Sequence, residues 1–549
     1  MRNLRIAFSV AGLAVVMAIG LVACGGGGDD TGGSGKSGGV LNVSYASFPD
    51  YMDPALSYTA EGWTAMGEVY IPLLTYKHAE GEEGSVVEPG LAKSMPKISN
   101  GGKTYTLFLR PGLKYSDGTA VKASDFAYAV ERVFRLNSGG SPFYTGIVGA
   151  EEFAKTKSGG IPGIEANDET GEIKIDLVKP RGTFSNELAL LFVAPVPAST
   201  PADKDQSANP PPATGPYMIT NSQPGRGWEY ERNPYWAKAN SKAMPDYPSG
   251  TLDGAKVTVV RNQQTQVNDV EQGRYDWMQT PVPADRYAAV KEKFEGTQLR
   301  VNPTISTYYF WMNTTKPPFD DLKVREAVNY AVDTAALERI YAGQIAGTHQ
   351  ILPPGMPGYE KFDLFPHDMA KAKALIKEAN PSDTDITVWT DNESGQDEAG
   401  AYYEDVLKQL GFNTTLKILN TDNYFTVIGN QTTPDLDTGW SDWFEDYPHP
   451  NDFFQPLLSG ESILATNNGN LARIDDPALN EEIAKLGEEQ LGPEQEAAYA
   501  EMDRKFMEMA PWVPYGTRTL TTFVSDEINF EKIIVNPTFF EYLTSFEFK

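Results

Sequence analysis

The chain has 549 residues, a net charge of −28 and a single cysteine, with an isoelectric point near 4.6. At about 150 residues per domain the length allows roughly three or four domains or lobes. So large an acid excess leaves no basic face for nucleic acid or for an anionic membrane surface. One Cys excludes an internal disulfide framework, and His78, His349, His367 and His449 are too scattered to suggest a metal cluster, so neither a metal nor another cofactor is expected.

Residues Met1 to Cys24 read as an export signal: Arg2 and Arg5 precede an apolar run from Ile6 to Ala23. Leu21-Val22-Ala23-Cys24 resembles a lipobox, in which the Cys is lipidated and becomes the N-terminus after cleavage. The run alone would also pass as a short transmembrane anchor. The only Cys in the chain closes the run, however, and a Gly-rich tether at residues 25–39 follows at once. Two acyl chains on Cys24 suffice for stable anchoring. Within the tether, GSGKSG imitates a phosphate loop, but Asp30 stands where that motif needs Gly, and the segment is read as linker.

The globular part opens at Val40 with the alternating strand pattern VLNVSYA, followed by SFPDYMDPALSY, rich in turn residues and aromatics. YTLFLR (Tyr105 to Arg110) predicts a strand, and Ala127, Val130, Val133 and Phe134 recur at helical spacing behind Ser124, the expected N-cap. A loop, a short helix and an exposed hairpin are expected up to about residue 180, and the Pro-rich stretch Ser199 to Pro212 marks a lobe boundary. KVTVVR (Lys256 to Arg261) is strand-like, and the helix beginning at Val267 ends at Gly273.

Beyond Arg300 the aromatic strand TYYFWMNT precedes a long helical pattern, PFDDLKVREAVNYAVDTAALERI, with Val324, Ala327, Val328, Ala331, Val332 and Ala335 on one stripe. Helices at 368–379 and 396–410 then alternate with strands ITVWT and TTLKIL, the texture of an α/β lobe. Helices at 477–486 and 494–509 lead to a final strand-like run, PWVPYGTRTLTTFV.

The densest chemistry lies in Gly439 to Leu458, where Trp440, Trp443, Phe444, Tyr447, Phe453 and Phe454 stand among Asp442, Glu445, Asp446 and Asp452. Pro448 and Pro450 predict a mostly irregular segment. Aromatic walls beside carboxylates suit an extended, partly apolar ligand with a cationic group; the plainer alternative is an aromatic core with an acidic rim. A hydrolase using Asp442, Asp446 or Asp452 as a carboxylate pair is the competing enzyme reading, and no H-E-x-x-H occurs to support a metallohydrolase.

WFEDYPHPNDFF (Trp443 to Phe454) resembles the W-x-x-D-Y-x-x-P-x-x-F-[FL] signature of the family 5 extracellular solute-binding proteins, the peptide-binding lipoproteins of ABC importers. Three further motifs are similar to that family's in the same order: Ser116 to Phe126, Thr214-Gly215-Pro216-Tyr217, and Pro318 to Asp333. The resemblance implies an α/β Venus flytrap of the type II periplasmic-binding class, two lobes plus an extra inserted domain. Lobe I would comprise residues 40–78, 213–303 and 516–549, the inserted domain 79–212 and lobe II 304–515. It implies a monomeric, non-enzymatic receptor that captures peptides and passes them to a membrane permease powered by separate ATPase subunits. A non-peptide solute such as an oligosaccharide or metal chelate, and a signalling role, are the alternatives. In peptide-binding members the motif Asp holds the ligand α-amino group; it falls on Asp446, with Trp443 and Tyr447 as expected walls. Some relatives carry a basic residue shortly before the motif Trp for the ligand carboxylate, but no Lys or Arg occurs between Lys417 and Arg473. The carboxyl end is therefore expected in a wetter part of the cleft, or on a basic residue from another segment.

Overall fold

The computed structural model describes residues 38–549 apart from 393, 394 and the side chains of 421 and 422. The expected export signal, Cys24 and the linker up to residue 37 lie outside the described residues. Twelve strands share one sheet. In chain order they are β1 (Val40–Tyr45), β2 (Tyr217–Gln223), β3 (Gly227–Arg232), β4 (Gly254–Val259), β5 (Trp277–Met278) and β6 (Leu299–Pro303). The second set is β7 (Ser306–Met312), β8 (Ile345–Ala346), β9 (Asp385–Asp391), β10 (Asn413–Leu419), β11 (Thr438–Phe444) and β12 (Trp512–Val524).

Their spatial order is β10-β9-β11-β7-β12-β5-β1-β4-β3-β2, with β6 and β8 also pairing β12. Among the described strands, strand-to-strand parallel pairing is confined to two blocks: β1 with β4 and β5, and β9 with β10 and β11. The strand β12, 13 residues long, is antiparallel to β7 at its start and to β5 and β6 at its end, and so joins the blocks. β7 is buried along its whole length, including Ser306 and Thr307 ahead of its aromatic run, as expected of a strand covered on both faces.

Each block carries its own core. One gathers Leu41, Val43 and Val257 of the sheet with Phe126, Val130, Ile173 and Ile175. The other draws on residues from Ile305 to Tyr515. A small third cluster packs Val267, Val270 and Tyr287 under Phe523. A separate antiparallel sheet orders Lys97–Ser99, Thr104–Phe108, Glu172–Asp176 and Ile164–Asn167. The hairpin expected to be exposed is therefore exposed on one face only, because Ile173 and Ile175 pair with Leu107 and Tyr105 and are fully buried.

Three local expectations are corrected. The helix Ala123–Arg135 starts one residue before Ser124, whose N–H and hydroxyl are taken by Asp168; Asp125 instead reaches back to accept from the Lys122 N–H at 2.9 Å. The long pattern after Pro318 splits into Leu322–Ala331 and Thr334–Ile340, because Val332 is extended and Asp333 caps the second helix by accepting from Ala335 N–H. Ala335 is thereby turned outward and Leu337 inward. Finally, 439–458 is not mostly irregular: β11 runs to Phe444 and a helix spans Asn451–Leu458, with Pro448 and Pro450 confined to the loop between.

One buried ion pair ties the smaller sheet's helix to the first core. Arg132 donates from Nη1 and Nη2 to the two oxygens of Asp53 at 3.1 and 2.8 Å, with both side chains essentially inaccessible. Asp53 also accepts from the N–H groups of Ala55 and Gln206. Removing one partner strands a buried charge, so Asp53→Ala should lose about 3–5 kcal/mol of unfolding free energy in a urea titration. A loss below about 1 kcal/mol would show the pair to be dispensable.

Candidate ligand-binding cleft

A cleft of about 1310 Å³ lies between the two cores. Tyr58, Trp63, Phe540 and Glu541 line it on the side of the first core, and Tyr308 and the run Asp442 to Asp446 on the side of the second. Trp443 and Asp446, both expected at the site, line this space. Tyr447 does not. It is only 5% exposed and crosses into the first core, its ring 6.1 Å from that of Phe143.

The loop after β11 is set by hydrogen bonds from behind. Asp452, buried at the start of the helix Asn451–Leu458, accepts from Asp446 N–H at 2.8 Å and from the Trp443 indole at 3.2 Å. His449 is buried as well, and burial pushes its pKa down to about 3, so it is neutral and accepts at Nδ1 from Asn451 N–H. On the opposite wall, Asp50 accepts from Tyr58 N–H, Ser57 Oγ and Thr59 Oγ1. Tyr58 then stacks on Trp63 and meets Phe192 edge to face. Its hydroxyl donates to Asp446 Oδ1 at 2.7 Å, the direct polar link across the cleft at this point.

Electrostatics here favour an incoming cation. Burial raises the Asp446 carboxyl to about 6, against the opposing effect of the Tyr58 hydrogen bond. Burial also pushes Glu445 and Asp452 well above the usual carboxylate range, with neighbouring acids adding to it. Glu445 Oε1 is buried without a hydrogen-bond partner. Three adjacent carboxyl groups cannot all ionise cheaply, and an ammonium placed among them would relieve both burial and repulsion. Among the described residues no group of three or more His, Cys, Asp or Glu side chains is arranged to hold a metal ion.

Sequence reasoning missed Tyr58, Trp63, Arg518, Phe540 and Glu541 as lining residues. Tyr58 stood in a stretch noted for its aromatics, but nothing local linked it to a site 388 residues away. Nor does any local pattern mark Arg518 or Glu541.

The model for bacterial extracellular solute-binding proteins, family 5 middle, matches residues 86–464, and the chain belongs to this family. Heme-binding protein A of Haemophilus influenzae is 26% identical over 497 residues, covering 85% of each chain. Oligopeptide-binding protein OppA of Bacillus subtilis is 26% identical over 578 residues, covering 99% of each. Among solved structures, the clavulanic acid biosynthesis oligopeptide binding protein 2 superposes with a TM-score of 0.84 at 24% identity, covering 93% of this chain and 96% of that one. Helicobacter pylori DppA in complex with the peptide STSA gives 0.71 at 22%, covering 92% and 98%. The fold is the α/β Venus flytrap of type II periplasmic binding proteins.

Two carboxyl groups of the cleft give a pH signature. Burial raises Glu541 to about 7 despite a 2.6 Å hydrogen bond from Thr522 Oγ1, and Asp446 to about 6. Unfolded, both titrate near about 4. Between those limits the native state holds more protons than the unfolded state, so their contribution to stability is full below about pH 4 and is lost as pH rises through 6 to 7. Thermal denaturation of the ligand-free protein at constant ionic strength should give a midpoint that falls from pH 5 to pH 8. Glu541→Gln should flatten the upper half of that fall; an unchanged slope would remove Glu541 from the account.

Proposed function

We propose that the protein is the exported, lipid-anchored receptor of an ABC importer, which captures peptides between two lobes and delivers them to a membrane permease with separate ATPase subunits. The observation that carries this reading is Asp446: a half-buried carboxylate on the cleft wall, held by Asp452 behind it and capped by a neutral donor, Tyr58. An α-amino group would replace the weak interaction with Tyr58 by a charge-assisted one. Trp443 forms the wall beside it. Tyr447 acts at one remove, anchoring the loop in the opposite core. The names of the relatives OppA and DppA support a peptide as cargo.

In this reading the protein works as a monomer and as a binding protein, not an enzyme. Lobe I spans 40–78, 213–303 and 516–549, the inserted domain 79–212 and lobe II 304–515. Closure of the lobes about the segments entering and leaving lobe II encloses the ligand. A non-peptide solute is the second reading, favoured by one specific fact: a heme-binding relative stands at the same 26% identity as OppA. Mass spectrometry of the solute that copurifies with the gently isolated protein separates the two.

With trialanine as calorimetric probe, Asp446→Ala should weaken binding at least tenfold, about 1.4 kcal/mol, while the melting temperature of the ligand-free protein stays nearly constant. A large drop in that temperature with little loss of affinity would make Asp446 a brace for its own loop.

Lipid anchoring at Cys24 is supported by its position as the sole Cys. No helix among the described residues is long and apolar enough to cross a membrane. Cys24→Ser should abolish incorporation of labelled fatty acid and block normal processing. Retained label would refute the anchor.

A further inference from the structure

The described lining of the cleft holds six carboxyl side chains, Glu61, Glu80, Asp442, Glu445, Asp446 and Glu541, and one cation, Arg518. Arg518 sits at the middle of β12, past the point where that strand leaves β7. Its backbone is fully engaged. The N–H donates to Ser306 Oγ at 3.1 Å, the carbonyl accepts from Thr304 N–H at 3.0 Å and from Thr304 Oγ1 at 2.9 Å, and the residue pairs with Ile345 of β8. Its guanidinium, by contrast, has no hydrogen bond or ion pair among the described residues, and the group is half-buried.

Five donors held on a rigid strand, facing an otherwise acidic space yet bonded to none of its acids, are suited to an anion that arrives with the ligand. Two of the acids are engaged elsewhere: Glu80 is paired with Arg300 outside the cleft floor, and Glu541 is bonded to Thr522.

One hydrogen bond and the sheet register together give the spacing. Arg518 is bonded to Ser306 of β7, and Ser306 is the partner of Phe444 in β11. The three residues thus stand abreast on adjacent strands, about 10 Å from first to last. Asp446 lies two residues beyond Phe444, which adds about 7 Å along the chain and sets the two backbones roughly 12 Å apart. An extended peptide advances about 3.3–3.6 Å per residue.

We propose that Arg518 is the anion anchor of the cleft, taking the carboxylate of a short zwitterionic peptide of about two to four residues whose ammonium lies at Asp446. This rests on the peptide reading of the cleft and adds to it the partner for the second charge, the upper size of the cargo and a reason for selecting free termini. A bidentate guanidinium–carboxylate pair at this position fixes the peptide's direction, amino end toward the loop after β11 and carboxyl end toward β12.

The test uses the full chain and three probes, trialanine, trialanine amide and N-acetyl-trialanine, titrated calorimetrically into the wild type and into Arg518→Gln, Arg518→Lys and Asp446→Asn. In the wild type amidation should weaken binding at least tenfold. In Arg518→Gln trialanine itself should bind at least tenfold more weakly and the amide should bind about as well as trialanine, while the penalty for N-acetylation persists. Arg518→Lys should restore part of the preference for the free carboxylate. An amidation penalty equal in Arg518→Gln and wild type overturns the assignment, provided ligand-free melting temperatures match. The two subsites read out separately: loss of the acetylation penalty in Asp446→Asn reports on the amine site alone, and its failure leaves the Arg518 result standing. Failure of all three probes to bind the wild type overturns the short-peptide anchor together with the reading beneath it.

Discussion

The constraint on which the structure depends is the backbone hydrogen bonding of one strand, Trp512–Val524. Its first residues pair with Ser306–Met312 and its last with Trp277–Met278 and Leu299–Pro303. Two blocks of parallel strands, each with its own core, are thereby held in one sheet. The register with Ser306–Met312 slips by one residue at Tyr515, whose hydroxyl meets those of Tyr341 and the Trp440 indole in the second core. Such a bulge adds twist. The chain then leaves the second core at Gly516, Thr517 and Arg518, and this is where the cleft opens. A strand shared by both halves fixes the floor of the cleft, and the segment around Tyr58 faces the end of β11 and the loop after it as opposing walls.

Desolvation does most of the chemistry in that cleft. Glu445, Asp446, Asp452 and Glu541 are all shifted upward, with burial as the first cause for each. An acid held partly protonated in a half-buried site is a poor ion pair waiting for a better one. The tyrosine opposite supplies a neutral hydrogen bond to the same oxygen, so Asp446 is satisfied without its charge being matched. An ammonium bound at Asp446, as proposed, would take the place of protons and a phenol, so its binding free energy would be a difference between two hydrogen-bonded alternatives rather than a simple gain.

The four family motifs divide by physical role. Ser116 exchanges hydrogen bonds with the backbone of Ala213, and Asp125 accepts from Tyr115 and Lys122. Thr214 Oγ1 accepts from Ile71 N–H, and a side chain at Gly215 would meet the Glu68 carbonyl at 2.0 Å. Arg325 spends its donors on the carbonyls of Phe319, Asp320 and Met509. These three motifs brace loops where segments distant in sequence join. Only the fourth, beginning at Trp443, reaches the cleft, which is why resemblance fixes the fold firmly and leaves the cargo to the residues around Asp446.

By itself the sequence determined what short-range chemistry determines. Periodicity placed the helix Gln396–Leu410 and its Gly411 cap and the helix ending at Ala379, because each pattern is satisfied by neighbours a few residues away; the aromatic run from Thr307 was legible as a strand, but its burial is decided by partner strands distant in sequence. The motif at Trp443 located Asp446. Where two local signals competed, as at Ser124 against Asp125 or along the stripe through Asp333, the sequence could not rank them, since the winner depends on a partner or a cap geometry set by the surrounding fold. Tyr447 shows the same limit: its neighbours in the chain point to the cleft, but the packing of Phe143, some three hundred residues earlier, draws it into the other core. Tyr58 and Arg518 carry no local signature at all. One is placed by Asp50 and an aromatic stack, the other by strand pairing with Ile345 and a backbone hydrogen bond to Ser306 Oγ, and only the tertiary structure brings them to the same space, because long-range hydrogen bonding and burial, not sequence spacing, decide which side chains face a cavity.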